Sequence, residues 1–233
     1  MAYRNLSEKA KNHSRQKRRE WYANNKERDC LNKKLYRKNN FERIKLTKRV
    51  HLDNLKMAAI VRYSNGQNNC AHCGESTFEF LTLDHINNDG GKHRKSQKIT
   101  GSSIYQWVKM NNYPPTFQIL CYNCNFLKIP RAKYVLNKRA EQTRKDARKA
   151  KKEVLSHYSN NELKCVTCGH EDYRVLTIDH INGGGHKQIK ELGYRGGKDF
   201  YAYLRREGFP PGYRVLCFNC NSSRIYTPKT EKL

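Results

Sequence analysis

Apolar and polar positions follow the same order twice along the chain. FEFLTLDHI (78–86) and YRVLTIDHI (173–181) are rich in β-branched and aromatic residues, so each predicts a strand, and a glycine loop follows each one. SIYQWVKMNN (103–112) and DFYAYLRREG (199–208) space large apolar residues three to four positions apart. That spacing predicts a short helix, which the following Pro-Pro pair ends.

The second half of each copy is equally regular. FQILC and YRVLC predict a short strand or extended run, and NCNFLK and NCNSSR predict the start of a last helix. RYSNGQNNCAHC also matches HYSNNELKCVTC, and the copies lie 95 or 96 residues apart. We interpret the chain as a tandem duplication, with a first module at 64–130 and a second module at 158–226.

Basic segments surround the two modules. Residues 1–63 form a basic N-terminal segment with a helical pattern, and residues 131–157 form a basic, alanine-rich helical linker. Residues 227–233 are assigned to a C-terminal tail. The fold class predicted from these patterns is α+β, in which two small modules are linked and flanked by basic α-helices.

Composition restricts both the core and the partners. Hydrophobic residues make up 36% of the 233 positions. This low share favours small modules with additional stabilising cross-links over one large core. The formal net charge of +26 indicates a polyanionic partner, most simply DNA, with RNA as an alternative. Charge alone also fits a ribosomal or membrane-surface protein. Oligomeric state is not readable from these numbers, although the duplication suggests a single-chain pseudo-dimer.

The expected compartment follows from what the sequence lacks. It has no stretch of roughly 20 apolar residues for a membrane span, and the N-terminus has no apolar secretory core. We therefore expect an intracellular, cytoplasmic protein without a membrane partner, in which thiols stay reduced.

Eight of the nine cysteines form two sets of paired CxxC motifs. Four thiolates suit tetrahedral zinc and leave no open coordination position, so we expect two structural zinc ions per chain. An iron-sulfur cluster and unligated thiols are the weaker alternatives, and Cys30 is left over as an ordinary thiol. The expected ligands are Cys70, Cys73, Cys121 and Cys124 in the first module, and Cys165, Cys168, Cys217 and Cys220 in the second.

An Asp-His pair ends the first strand of each module. A carboxylate can hold a hard cation such as Mg²⁺, and a neutral imidazole can deprotonate a water for attack on a phosphodiester. The second cation ligand is expected from an asparagine just after the second CxxC. The candidate cation ligands are Asp84, Asn125, Asp179 and Asn221, and the candidate general bases are His85 and His180.

These motifs resemble the HNH endonucleases, which share the ββα-metal fold. The closest resemblance is to the branch with recombination endonuclease VII and many phage proteins, over residues 64–128 and 158–224. It rests on the CxxC, Asp-His, glycine loop, second CxxC and final asparagine, which occur in that order twice. The resemblance implies a zinc-stabilised, Mg²⁺-dependent DNA endonuclease. Many members have histidine in place of the final asparagine, which leaves the cation's charge less neutralised here.

Other residues of the modules carry weaker assignments. Asn87 and Asn182 follow the base by two positions, where they can orient it or contact phosphate. His93 and His186 follow the glycines at unequal offsets and are given no equivalent roles. The ring residues of the third segment are expected in the core: Tyr105, Trp107, Tyr201 and Tyr203.

Three functions stay open on the sequence. The leading hypothesis is an endonuclease with two active modules; one site for each strand of a duplex is favoured, and two sites on one strand is the other arrangement. The alternatives are a non-catalytic zinc protein that grips nucleic acid, and a basic subunit of a larger nucleoprotein assembly.

Overall fold

A computed structural model describes residues 7–128, 138–193 and 197–223, so the predictions for 129–137 and for the tail at 227–233 lie outside the described residues. The fold is α+β, as predicted. In the described residues no helix is long and apolar enough to cross a membrane. The elements are α1 (Glu8–Asn39), α2 (Phe41–Tyr63), β1 (Leu81–His85), α3 (Gly90–Ser96), α4 (Ser103–Met110), β2 (Phe117–Cys121), α5 (Tyr122–Lys128), α6 (Lys138–Tyr158), β3 (Leu176–His180), α7 (Gly185–Glu191), α8 (Gly197–Arg206), β4 (Tyr213–Cys217) and α9 (Phe218–Ser223).

The chain divides between Asn54 and Leu55 into two compact units. The first unit consists of α1 and the first part of α2. Helix α1 buries no residue, which agrees with its sparse apolar positions. The second unit contains both modules and the end of α2, where Leu55, Ala59 and Ile60 are buried.

Each module is built on a two-stranded antiparallel sheet. Strand β1 pairs with β2, and β3 pairs with β4, with equivalent registers. Each strand has only five residues. In β1, for example, Leu81–His85 is the stretch in which β-branched or apolar residues coincide with burial. A short 3-10 helix at Phe78–Phe80 replaces the start of the strand predicted at 78–86.

In each module the last residue of a basic helix is hydrogen-bonded to the Pro-Pro segment, at the same position of the repeat. The hydroxyl of Tyr63, at the end of α2, donates to the carbonyl oxygen of Pro114 at 3.0 Å. Tyr158, at the end of α6, donates to Pro210 at 2.7 Å. The basic flanking helices therefore enter the modules through their last turns.

The prediction of a plain glycine loop after each Asp-His was incomplete. Helix α3 begins at Gly90 and α7 begins at Gly185, each seven residues long. The residues after these glycines are mostly Lys, Arg, His, Gln and Glu, which tolerate a helix well. Their lack of apolar periodicity hid the helices from the pattern.

The two modules pack against each other through α5 and α9. The backbone N–H of Asn123 donates to Oδ1 of Asn219 at 2.9 Å, and the N–H of Asn219 donates to Oδ1 of Asn123 at 3.0 Å. Both asparagines are buried and occupy equivalent positions of the repeat. Because the same surface is used on both sides, the modules are related as in a two-fold dimer. Phe126 stacks on Phe218 beside this contact, with ring centroids 4.2 Å apart.

Candidate metal centres and Asp-His sites

Each module gathers its four cysteines into one cluster. Their Sγ atoms all lie within 4.8 Å of one another, in the sets predicted from the sequence. Cys73 and Cys121 are 3.8 Å apart, and Cys168 and Cys217 are 3.7 Å apart. Four sulfurs at about 2.3 Å from a tetrahedral zinc would be roughly 3.8 Å apart. Both clusters can therefore hold a structural metal ion, and their geometry is compatible with zinc.

Tight turns and the sheets bring the thiols together. The N–H of Gly74 donates to the carbonyl of Cys70, and Gly169 does the same to Cys165. Both glycines have positive φ angles, of 78° and 73°, which other residues adopt rarely. The second CxxC lies at the junction of the last strand and the last helix.

Close packing of the cysteines shifts the pKa values of neighbouring thiols in opposite directions. In the first cluster the hydrogen bond with Cys121 lowers the pKa of Cys70 to about 4, and the same contact raises the pKa of Cys121. Cys165 and Cys217 repeat this pattern. Four clustered thiolates need a cation to offset their charges, so this chemistry is that of a metal site.

Asp84 lies in a polar corner of the first module. Its Oδ2 accepts hydrogen bonds from Nε2 of Gln118 at 2.8 Å and from the Lys128 ammonium at 2.6 Å. Lys128 also donates to the carbonyl oxygen of His85 at 2.6 Å. Two oxygens, Oδ2 of Asp84 and the carbonyl oxygen of His85, thus converge on the ammonium group of Lys128.

The imidazole of His85 is buried against aromatic rings. Its Nε2 is 3.0 Å from Nδ1 of His93, and the ring centroid of Phe117 is 4.5 Å away. Burial lowers the pKa of His85, and the nearby His93 lowers it further. His85 therefore stays neutral near pH 7, as a general base requires.

A glycine passes close to each of these histidines. A Cβ added to Gly90 would lie 2.8 Å from Nδ1 of His85, and one added to Gly185 would lie 2.6 Å from Nδ1 of His180. Each glycine is five residues after its histidine. A residue with a Cβ would press on Nδ1 at this position, which gives the glycine-rich ending a steric reason.

The second module keeps this plan with other side chains. Asp179 forms an ion pair with Arg214, whose Nε is 2.8 Å from Oδ2. The Nε2 of His180 is 2.5 Å from Oε1 of Gln188, and Gln188 is also hydrogen-bonded to Tyr213. Gln188 and His93 both lie eight residues after the histidine that they contact.

The other predicted residues take less defined positions. Asn125 and Asn221 are half-buried, and within the described ranges their side chains make no hydrogen bond. Asn125 lies three residues before Lys128 in α5, so these two side chains share one side of the helix. Three accessory candidates are exposed and make no contact with the Asp-His pair in the described structure. They are Asn87, Asn182 and His186.

Sequence reasoning missed the partners of the Asp-His pairs. Gln118, Lys128, Gln188 and Arg214 were not singled out, because their residue types are common on surfaces. The repeat still contained a signal, since Gln118 and Arg214 stand at equivalent positions and differ in charge. The ring residues expected in the core do pack against it: Tyr105, Trp107, Tyr201 and Tyr203.

Comparison of the chain with protein-family profiles, curated proteins and solved structures found no match. The site geometry and the motifs are therefore the basis for a functional conclusion.

Proposed function

We propose that this chain is a metal-dependent DNA endonuclease that hydrolyses phosphodiester bonds with its two tandem HNH-like modules. One observation carries the proposal. In both modules the aspartate contacts a cationic side chain, and the histidine uses Nε2 for an orienting partner and keeps Nδ1 beside a glycine. A cation site and an oriented base are the two parts that this hydrolysis needs.

The carboxylate side of the site would hold the divalent cation. Asp84 with Asn125, and Asp179 with Asn221, offer hard oxygen ligands that suit Mg²⁺. When bound, the cation would stabilise negative charge on the phosphate and on the leaving oxygen. Lys128 would have to leave Asp84, and its flexible stem permits this because it is the last residue of α5.

The imidazole side would move the proton. With Nε2–H donated to an acceptor, the lone pair of a neutral imidazole is on Nδ1. Gln188 Oε1 is such an acceptor for His180, and Nδ1 of His93 can serve His85. His85 and His180 would then take the proton of the attacking water at Nδ1, beside Gly90 and Gly185.

The charge of the chain supports nucleic acid as the substrate. The net charge is +26, and α1 is a helix of 32 residues with Lys and Arg along its exposed surface. A strongly basic helix without a buried residue suits phosphate neutralisation, which is independent of base sequence.

A second function is favoured by the ion pairs themselves. Asp84 and Asp179 already contact Lys128 and Arg214, so each carboxylate has a partner without any metal ion. A protein that binds DNA or RNA through its basic helices and zinc modules would need no divalent cation at these two aspartates.

Cleavage of supercoiled plasmid separates the two functions. The zinc-loaded chain should nick or linearise plasmid with Mg²⁺ and be inactive with EDTA added briefly at low temperature, to spare the zinc. The Asp84→Asn/Asp179→Asn variant should bind the plasmid equally well and not cut it. A chain with two zinc ions that binds plasmid and never cuts it, with Mg²⁺ or Mn²⁺ and on DNA or RNA, supports the binding function.

A further inference from the structure

The two candidate cation sites differ at one position of the repeat. Gln118 pairs with Asp84 across the β1–β2 sheet, and Arg214 pairs with Asp179 across the β3–β4 sheet. Both side chains contact Oδ2 of their aspartate at 2.8 Å. A neutral amide in the first module is therefore replaced by a guanidinium in the second.

Arg214 is held in place more firmly than Lys128. Its backbone lies within strand β4, and its Nη2 is buried with no hydrogen-bond partner in the described residues. Turning this guanidinium away would break its hydrogen bond to Asp179 and move the buried Nη2. Lys128 contacts Asp84 from a helix end, through a long flexible side chain that can withdraw. Its counterpart in the repeat, Arg224, lies outside the described residues.

We infer that the two modules bind the divalent cation with unequal affinity and that the first module fills first. Arg214 neutralises Asp179 and repels an incoming dication, whereas Gln118 adds no charge beside Asp84, and the ammonium of Lys128 that pairs with Asp84 can withdraw from it. Even at the dielectric constant of water, a fixed unit charge about 4–5 Å from a dication weakens its binding by roughly tenfold or more. This inference rests on the proposed function and adds an order to it: at limiting cation, the first module cuts before the second.

Mn²⁺ binding to the zinc-loaded chain without DNA tests the inference. Electron paramagnetic resonance of free Mn²⁺ should show one tight equivalent and a second that is at least about tenfold weaker. Asp84→Asn should remove the tight equivalent, and Asp179→Asn should leave it. The duplication supplies matched variants, because Arg214→Gln should give two tight equivalents and Gln118→Arg should give none.

Folding of each variant is checked by its zinc content and its far-ultraviolet circular dichroism. If Arg214→Gln does not fold, the Gln118→Arg and aspartate variants still decide the question. Two equal Mn²⁺ sites in the natural chain that also cleaves DNA would overturn the inference alone. Absence of any Mn²⁺ binding by a folded, zinc-loaded chain would overturn it together with the metal-dependent function.

Discussion

The two modules share a backbone plan and differ in the side chains around the same Asp-His pair. The cysteine clusters, the sheet registers and the glycine beside the histidine are the same in both. The cross-strand partner of the aspartate and the partner of the histidine are Gln118 and His93 in the first module, and Arg214 and Gln188 in the second. The parts that set the fold have been kept, and the parts that tune charge have diverged.

This difference indicates that equal motifs do not make equal sites. A decayed copy would be expected to lose its aspartate or its histidine, and neither copy has. What has changed is the charge next to the aspartate and the ring next to the histidine. Substitutions that exchange these partners, or that break what the modules share, are therefore the most informative ones.

Loss of a zinc ligand should have the largest effect on what the modules share. We expect Cys121→Ser to reduce bound zinc from two equivalents to one and to unfold the first module, since structural zinc contributes about 10–16 kcal/mol to such small domains. Metal analysis and near-ultraviolet circular dichroism measure this. Cys30→Ser, at an exposed thiol outside both clusters, is the matched control and should keep two equivalents. Full folding of Cys121→Ser would contradict the role given to the cluster.

A methyl group beside the base should reduce cleavage next most strongly. Gly90→Ala would place a Cβ against Nδ1 of His85, and a displacement of the base by about 1 Å costs on the order of 100-fold in rate. The control is Gly91→Ala, because a Cβ there meets nothing within 4 Å. Strand-specific rates at low Mg²⁺ measure the effect. Equal rates for both variants would show that Nδ1 takes no part in the reaction.

Removal of one buried asparagine should loosen the contact between the modules. Asn219→Ala leaves the buried N–H of Asn123 without its acceptor, and such a loss costs about 1–3 kcal/mol. Urea denaturation should show this loss, with Ser222→Ala on the exposed side of α9 as the control. A double-mutant cycle with Asn123→Ala should give a clear coupling energy. Additive effects would mean that the two hydrogen bonds form independently of each other and would contradict a cooperative contact.

The smallest expected effect is a shift in pH dependence. Burial and His93 hold the pKa of His85 below its ordinary value, so activity from the first module should fall only below about pH 6.5. His93→Gln, which copies the second module, removes the electrostatic effect of His93 that lowers the pKa of His85 and should move this acid limb to higher pH by a fraction of a unit. The measurement is the pH profile of the His180→Ala variant with and without this change. An acid limb that does not move would show that His93 does not act on the base.

The sequence predicted the parts of this structure that depend on the periodicity of apolar residues and on the spacing of cysteine motifs. The four strands, α4, α8 and both cysteine clusters follow from β-branched runs, helical spacing and paired CxxC motifs. The contact between Asn123 and Asn219 was not predictable, because it joins residues 96 positions apart through packing of two helices. Arg214 was missed for a related reason: only the strand register shows that its charge reaches Asp179.

The most direct test of the account is cleavage of one duplex that carries a different label on each strand. The zinc-loaded natural chain should cut one strand first as Mg²⁺ is raised and the other strand at higher Mg²⁺. His85→Ala should lose the first cut and keep the second, and His180→Ala should show the reverse. The account would be contradicted if the natural chain binds the duplex without any Mg²⁺-dependent cut. It would also be contradicted if neither histidine substitution changes the products.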